Sequence, residues 1–92
     1  MPSLFSAILY TEKLNIKMAM NNLQQATKSN QQQEALKQYG ELKNRFQVLS
    51  NSLSIASFFE KMKVNSLQKK VMGQADALLA EKGWTAPTDN KV

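Results

Sequence analysis

The clearest hydrophobic pattern in the chain lies in its middle third. Apolar side chains recur there at spacings of 4, 3, 4, 3, 4 and 3, at Ala35, Tyr39, Leu42, Phe46, Leu49, Leu53 and Ala56. Such spacing is the a/d pattern of a heptad repeat, which places its members along one face of a helix. We call these residues the seam. The seam predicts a helix over about residues 30–56 that packs against another helix along its whole length.

A first helix is predicted before the seam, over about residues 3–27. Two neighbouring apolar stripes and three flanking residues form a broad apolar side, with Leu4, Ile8 and Met18 on one stripe, Leu9, Ile16, Met20 and Leu23 on the other, and Phe5, Leu14 and Ala19 beside them. A broad apolar side is typical of a helix packed in a bundle. Ser3 can cap the start of this helix. Ser29-x-x-Gln32 has the spacing of a capping box, which would begin the second helix.

A third helix is predicted over about residues 57–82. Its apolar residues form a single stripe, at Val64, Leu67, Val71, Ala75 and Leu78. Ser57-x-x-Glu60 has the spacing of a capping box at the helix start. Gly83 is expected to end the helix as a left-handed residue, with Trp84 folding back on Leu79 in a Schellman motif.

Residues 50–57 are compatible with more than one local structure. The run alternates polar and apolar residues as a strand does, but it also keeps the spacing of the seam. A lone strand has no partner inside the chain, so a helix or a kink between helices is favoured, unless a partner supplies a second strand. The chain is therefore predicted to be all-α, a helical hairpin or a three-helix bundle, with one domain over residues 1–83 and a loose tail over residues 84–92.

The amino-acid composition excludes most kinds of catalytic site. The 92 residues fit one domain and include no Cys and no His. Disulfides, Cys/His zinc sites, thiol nucleophiles and His-based triads are thereby excluded. Glu34 and Glu41 stand about 10 Å apart by helical rise, too far to share a proton. Because no Gly-rich phosphate loop is present either, we expect no enzymatic activity, no cofactor, no metal site and no small-molecule substrate.

The net charge of +5 favours an acidic partner. Four lysines follow the pair Phe58 and Phe59, at Lys61, Lys63, Lys69 and Lys70. Basic and aromatic residues in this order can hold nucleic acid, an acidic protein or a membrane surface. A solvated lysine face beside a packed Phe is the favoured alternative. Nucleic acid is disfavoured because eleven of the twelve cations are Lys, whereas base readers favour Arg.

No targeting or membrane-spanning segment is recognised in the sequence. The apolar run at residues 4–10 has no preceding Lys or Arg, and Glu12 and Lys13 interrupt it without a cleavage site. No apolar stretch reaches the ~18 residues of a membrane-spanning helix. We expect a cytoplasmic protein, or one exported by a non-classical route.

Residues 27–63 resemble a known family. The resemblance rests on a polar turn, an aromatic helix and a polar pair before an apolar stretch, at Ser29-Asn30-Gln31, Leu36-x-x-Tyr39, Arg45-Phe46, Asn51-Ser52 and Ile55 to Lys61. This order is similar to that of type III secretion needle subunits, which are short helical hairpins. The chain differs from them in lacking their turn prolines and in continuing through Gly83-Trp84. The resemblance implies a helical polymer or a related small secretion component, with Tyr39 and Phe46 in subunit contacts.

Two hypotheses for function follow from the sequence. The first is a non-enzymatic helical assembly protein, either a self-assembling subunit or a small structural component of a larger complex of the secretion type. Its protein interface would consist of Leu36, Tyr39, Leu42, Phe46, Leu49 and Leu53. The second is a monomeric three-helix binding module that holds an anionic partner with Lys61, Lys63, Lys69 and Lys70.

Overall fold

A computed structural model describes residues 3–84 of the chain. Three α-helices form most of this part: α1 (Leu4–Lys28), α2 (Gln32–Asn51) and α3 (Phe58–Lys82), with a short 3-10 turn at Leu53–Ile55. No strand occurs among the described residues. The prediction of an all-α three-helix bundle is confirmed.

The helices run up, down and up again. Glu60, at the start of α3, accepts a hydrogen bond from Ser6, at the start of α1. At the opposite end, Lys82 Nζ donates to Asn30 Oδ1 over 2.6 Å, so the end of α3 meets the turn between α1 and α2. Hence α1 and α3 are parallel, and α2 is antiparallel to both. α1 packs most extensively on α2, and α3 contacts both of them in a body of 44 × 30 × 16 Å.

Most of the seam is buried within the bundle of a single chain. Five of its residues are buried on α2: Ala35, Tyr39, Leu42, Phe46 and Leu49. α1 faces them with a heptad row of its own, at Phe5, Leu9, Glu12, Ile16, Ala19, Leu23 and Ala26. α3 completes the core with Val64, Val71, Ala75 and Leu79. Two heptad faces therefore pack together within one chain, and the third helix covers part of both.

The connection between α1 and α2 differs from the prediction at its cap. The capping box expected at Ser29 and Gln32 does not form, because Ser29 caps the end of α1 and Gln31 precedes α2 without a side-chain hydrogen bond. Asn30 has φ 56°. That left-handed conformation, which Asn tolerates better than most residues, turns the chain back. The reversal uses backbone geometry where the sequence indicated side-chain capping.

After α2, the chain forms neither a continued helix nor a strand. α2 ends at Asn51, before the predicted end at residue 56, and Leu53 lies half-buried in the 3-10 turn. Ser52 Oγ donates to the Val48 carbonyl over 3.2 Å. Such local bonds compete with helical pairing in a run rich in Ser and Asn. Ala56 is extended, with ψ 145°, and redirects the chain into α3.

Both ends of α3 follow the prediction. The capping box is confirmed: the Ser57 side chain accepts from the Glu60 N–H, and the Glu60 side chain accepts from the Ser57 N–H. Gly83 has φ 72°, and the Trp84 N–H donates to the Leu79 carbonyl, which confirms the Schellman end. Trp84 packs against the core. The rest of the predicted tail, residues 85–92, lies outside the described residues.

Candidate protein-binding groove

The predicted interface residues are used within the bundle. Tyr39, Leu42, Phe46 and Leu49 are buried in the core of a single chain. Leu36 and Leu53 are half-buried and pack against that core. The four buried side chains are therefore not accessible to a partner of the folded chain. A role for the seam in contacts between subunits stays a prediction.

Large apolar side chains remain exposed, most of them on α1 and α3. In the described part of the chain, the exposed ones are Leu4, Tyr10, Leu14, Met18, Val48, Ile55, Phe58, Phe59 and Met62. Four of them line one groove: Tyr10 and Leu14 from α1, and Phe59 and Met62 from α3. Exposed apolar side chains that are scattered singly are normal, whereas a concentrated group marks an interaction surface.

This groove runs between the parallel helices α1 and α3, and we call it the α1–α3 groove. It consists of two adjoining cavities of about 510 and 410 Å³ that share Lys13 and Leu67. Its walls carry Leu9, Tyr10, Lys13, Leu14, Lys17 and Met20 from α1, and Phe59, Met62, Lys63, Leu67, Lys70 and Val71 from α3. A smaller cavity of about 270 Å³ continues from Met20 toward Glu81 near the end of α3.

Helical spacing explains why these side chains meet. On α1, Tyr10, Lys13 and Lys17 are separated by three and four positions, so they lie along one side of the helix. On α3, Lys63 and Lys70 are seven positions apart and share a side in the same way. Because the two helices are parallel and pack less closely together than α1 and α2 do, their facing sides leave a channel.

The groove is basic. Lys13, Lys17, Lys63 and Lys70 line its two main cavities, and no carboxylate lines them. The ion pairs of Arg45, on α2, are with Glu12 and Glu41, neither of which lines these two cavities. The charges of the groove lysines are therefore not neutralised by an ion pair from the described chain. An apolar floor with cationic edges suits an apolar ligand that carries negative charge.

The four lysines predicted for an anionic partner are divided between two sides of α3. Lys63 and Lys70 line the α1–α3 groove. Lys61 and Lys69 are also exposed but do not line it. The single basic face expected from the sequence is thus not one surface. Lys63 and Lys70 instead lie in one groove with Lys13 and Lys17 of α1. The basic face predicted from the sequence did not include these two α1 lysines.

A buried acidic residue was missed by the sequence analysis. Glu12 is only 7% exposed and lies in the heptad row of α1, between Leu9 and Ile16. Arg45 of α2 reaches it with Nη1 at 3.4 Å from Oε1 and also donates from Nε to Glu41 Oε2 at 2.9 Å. The hydrogen bond to Glu41 and the nearby charge of Glu12 raise the pKa of Arg45. The signal in the sequence was a carboxylate at a heptad core position. A charge buried at such a position needs a partner, because buried charges are normally paired.

A second polar contact joins the starts of α1 and α3. Ser3 Oγ and Ser6 Oγ donate to Glu60 Oε2 over 2.8 and 2.7 Å. The Ser57 N–H donates to the other carboxylate oxygen of Glu60 over 2.8 Å. These bonds, chiefly the one from Ser57 and then that from Ser6, lower the pKa of Glu60 from 4.5 to about 2. The Glu60 carboxylate thus fixes one end of the groove by holding the two helix starts together.

In both polar clusters the acidic side chain is held by other residues of the bundle. Glu12 is paired by Arg45, and Glu60 is ionised and accepts three hydrogen bonds. Within residues 3–84, no three acidic side chains are grouped so that they could hold a metal ion. Within the same range, no helix is long and apolar enough to cross a membrane. The arrangement supports binding, with an apolar groove between lysine-bearing walls.

The chain is thus a three-helix bundle with a surface channel that has an apolar floor and lysines along its edges. Compared with known proteins, the chain matches no protein-family model, no curated protein and no solved structure. The groove is therefore the feature from which a function can be inferred.

Proposed function

We propose that this protein is a non-enzymatic helical component of a larger protein assembly, which it joins through the α1–α3 groove. One observation carries the proposal: four large apolar side chains, Tyr10, Leu14, Phe59 and Met62, are exposed along this groove. Three of the four, Tyr10, Phe59 and Met62, are of the residue types enriched at protein interfaces. In a chain of 92 residues, a group of large apolar side chains exposed to water indicates a surface that a partner covers.

The charge of the groove favours a different protein over a second copy as the partner. Two copies docked groove to groove would bring Lys63 and Lys70 of one chain near the same lysines of the other. Like charges brought together across an interface oppose binding. The seam, which offered the sequence-based route to self-assembly, is occupied within the chain. A small structural component of a heteromeric complex is therefore better supported than a self-assembling subunit.

The resemblance of residues 27–63 to needle subunits is the support for placing this assembly in a secretion-type complex. In the folded chain, the aromatic residues that carry the resemblance, Tyr39 and Phe46, lie in the core. The secretion-type proposal and the groove proposal are thus separable, because the groove does not include those residues.

A second candidate function is a monomeric module that holds an anionic partner such as nucleic acid or an anionic membrane surface. The presence of Lys63 and Lys70 in the groove favours it. The apolar floor, with Leu9 and Leu67, opposes a phosphate backbone as the occupant, because phosphates require polar partners. If nucleic acid were the partner, its affinity would fall steeply with added salt.

The proposal is tested by the size of the complex in extracts of cells that make the protein. A tagged chain should elute from gel filtration far above its own 10.4 kDa. Light scattering on the purified chain should show a monomer over a concentration series, because the partner is then missing. Elution of the extract sample as a monomer would overturn the proposal. Multimers of the purified chain would instead support the hypothesis of a self-assembling subunit.

A matched pair of variants on α1 ties the result to the groove. Leu14 lines the groove, whereas Met18, one helical turn further on, lies in the cleft between α1 and α2. Both side chains are exposed. Leu14→Asp should release the chain from the complex, and Met18→Asp should not. Equal behaviour of the two variants would move the interface away from the groove.

A further inference from the structure

We propose that the occupant of the α1–α3 groove is an amphipathic helix of a partner protein, with acidic residues on both edges of its apolar stripe. This inference rests on the proposed function and names the chemistry of the partner. It combines the shape of the groove with the placement of lysines on both of its walls.

The shape of the groove fits a helix. From Phe59 to Val71 the two main cavities follow α3 for about 18 Å, which is the length of roughly three helical turns. A helix laid in such a channel buries residues at positions i, i+3 or i+4, and i+7. Those anchors would cover Leu14 and Met62, which are otherwise exposed. Because α1 and α3 already pack on α2, an added helix would extend the bundle by its own packing rules.

The charges of the groove specify the edges of that helix. Lys13 and Lys17 stand on the α1 wall, and Lys63 and Lys70 stand on the α3 wall. An apolar stripe lying on the floor would bring the two flanking rows of the bound helix against these walls. Asp or Glu in both rows would meet unlike charge on each side. Opposite charges across an interface select the partner and raise the association rate.

The α1 and α2 helices of a second copy do not fit this description. Glu12 and Glu60 are held by internal contacts. Glu34 and Glu41 lie on α2, whose apolar face is buried in the core. A second copy would therefore bring to the groove no exposed apolar stripe with acidic edges from α2. A flat bilayer is also a poor occupant, because the groove is a concave channel with cavities of about 510 and 410 Å³.

The experiment measures binding of a designed helical peptide to the full-length chain. The probe is a labelled peptide of about 18 residues, a length that spans the channel, with Leu at heptad positions and Glu at the flanking positions. A second peptide carries Lys in place of every Glu. Fluorescence anisotropy should show saturable binding of the acidic peptide, and binding of the Lys peptide at least about tenfold weaker.

Two charge-reversal variants on α3 provide the matched test. Lys63→Glu/Lys70→Glu changes the groove, and Lys61→Glu/Lys69→Glu changes the net charge equally outside it. The first should weaken binding of the acidic peptide by about tenfold or more, and the second should leave it within about twofold. The first variant should also gain affinity for the Lys peptide. Circular dichroism establishes that both variants are folded.

Several outcomes would overturn the inference. These are no binding of the acidic peptide, equal binding of both peptides, or equal loss in the two lysine variants. Binding to vesicles of phosphatidylserine and phosphatidylcholine without binding to the peptide would assign the groove to a membrane surface instead. If the peptide fails while the chain still elutes in a large complex that Leu14→Asp disrupts, the proposed function stands and only the acidic helix is rejected.

Discussion

The hydroxyl of Tyr39 on α2 donates a 2.5 Å hydrogen bond to Asp76 Oδ1 on α3. Tyr39 is a seam residue, and its ring is buried in the core while its hydroxyl reaches the edge of the bundle. Burial, and then the bond and the charge of Asp76, raise the pKa of Tyr39 to about 12. This contact joins α2 to α3, the helix that forms one wall of the groove.

Removing the Tyr39 hydroxyl should loosen the attachment of α3. We expect Tyr39→Phe to lower the free energy of unfolding by about 1 kcal/mol, the usual size for a hydrogen bond that water can partly replace. Asp76 is exposed, so its carboxylate is rehydrated in the variant. Urea denaturation measures the change. A variant as stable as the wild type would show that the bond does not hold α3.

The burial of Tyr39, together with its bond to Asp76, predicts a loss of stability at high pH. In the folded chain the pKa of Tyr39 is raised from 10.0 to about 12. Its contribution is therefore complete below about pH 10 and is lost as the pH rises through about 12. Tyrosinate absorbance of a Tyr10→Phe variant isolates the titration of Tyr39. Asp76→Asn should bring that titration to lower pH, and an unchanged midpoint would contradict the assignment.

The Glu12–Arg45 pair should matter far more than the Arg45–Glu41 pair. Arg45→Ala leaves the buried Glu12 carboxylate without its counter-charge, and we expect a loss of about 2–3 kcal/mol. Glu41→Ala removes a more exposed i,i+4 pair and should cost about 0.5 kcal/mol or less. Glu12→Leu combined with Arg45→Met should recover most of the stability, because both charges are then removed. Urea denaturation of these variants measures the losses, and equal losses from Arg45→Ala and Glu41→Ala would refute the ranking.

Glu60 should make the bundle sensitive to acid. Its pKa is lowered from 4.5 to about 2 in the folded chain. Its stabilising effect is therefore present above about pH 4.5 and is lost as the pH falls toward about 2. The thermal midpoint of the wild type should therefore fall as the pH is lowered from about 4.5 to about 2. Glu60→Gln has no carboxyl to titrate at this position, so its thermal midpoint should fall less. Glu81→Gln, an exposed carboxyl of the same helix, is the control and should leave the profile unchanged.

The sequence predicted the elements of the fold because its signals are local. Heptad spacing gave the buried face of α2, and the Ser57–Glu60 spacing and Gly83 gave the two ends of α3. The cap at Ser29 was misassigned because Asn30 adopts a left-handed conformation that no spacing rule records. The end of α2 was placed too late because Leu53 fits the seam pattern although it lies in a 3-10 turn.

The groove was harder to predict because it depends on how two helices are placed. Lys13 and Lys63 are fifty positions apart in the sequence and line one cavity only because α1 and α3 are parallel. The sequence grouped the lysines of α3 by proximity along the chain, which combined residues of two different sides. It also predicted the seam as the intermolecular surface, since a heptad pattern does not say whether its partner is in the same chain.

The neighbouring phenylalanines at the start of α3 give the most direct test of the groove. Phe58 and Phe59 are 70% and 73% exposed, but only Phe59 lines the groove. In extracts of cells that make the protein, we expect the wild type and Phe58→Asp to elute in the large complex. Phe59→Asp should elute at 10.4 kDa. Retention of Phe59→Asp in the complex, or equal release of both variants, would contradict the groove as the site of assembly.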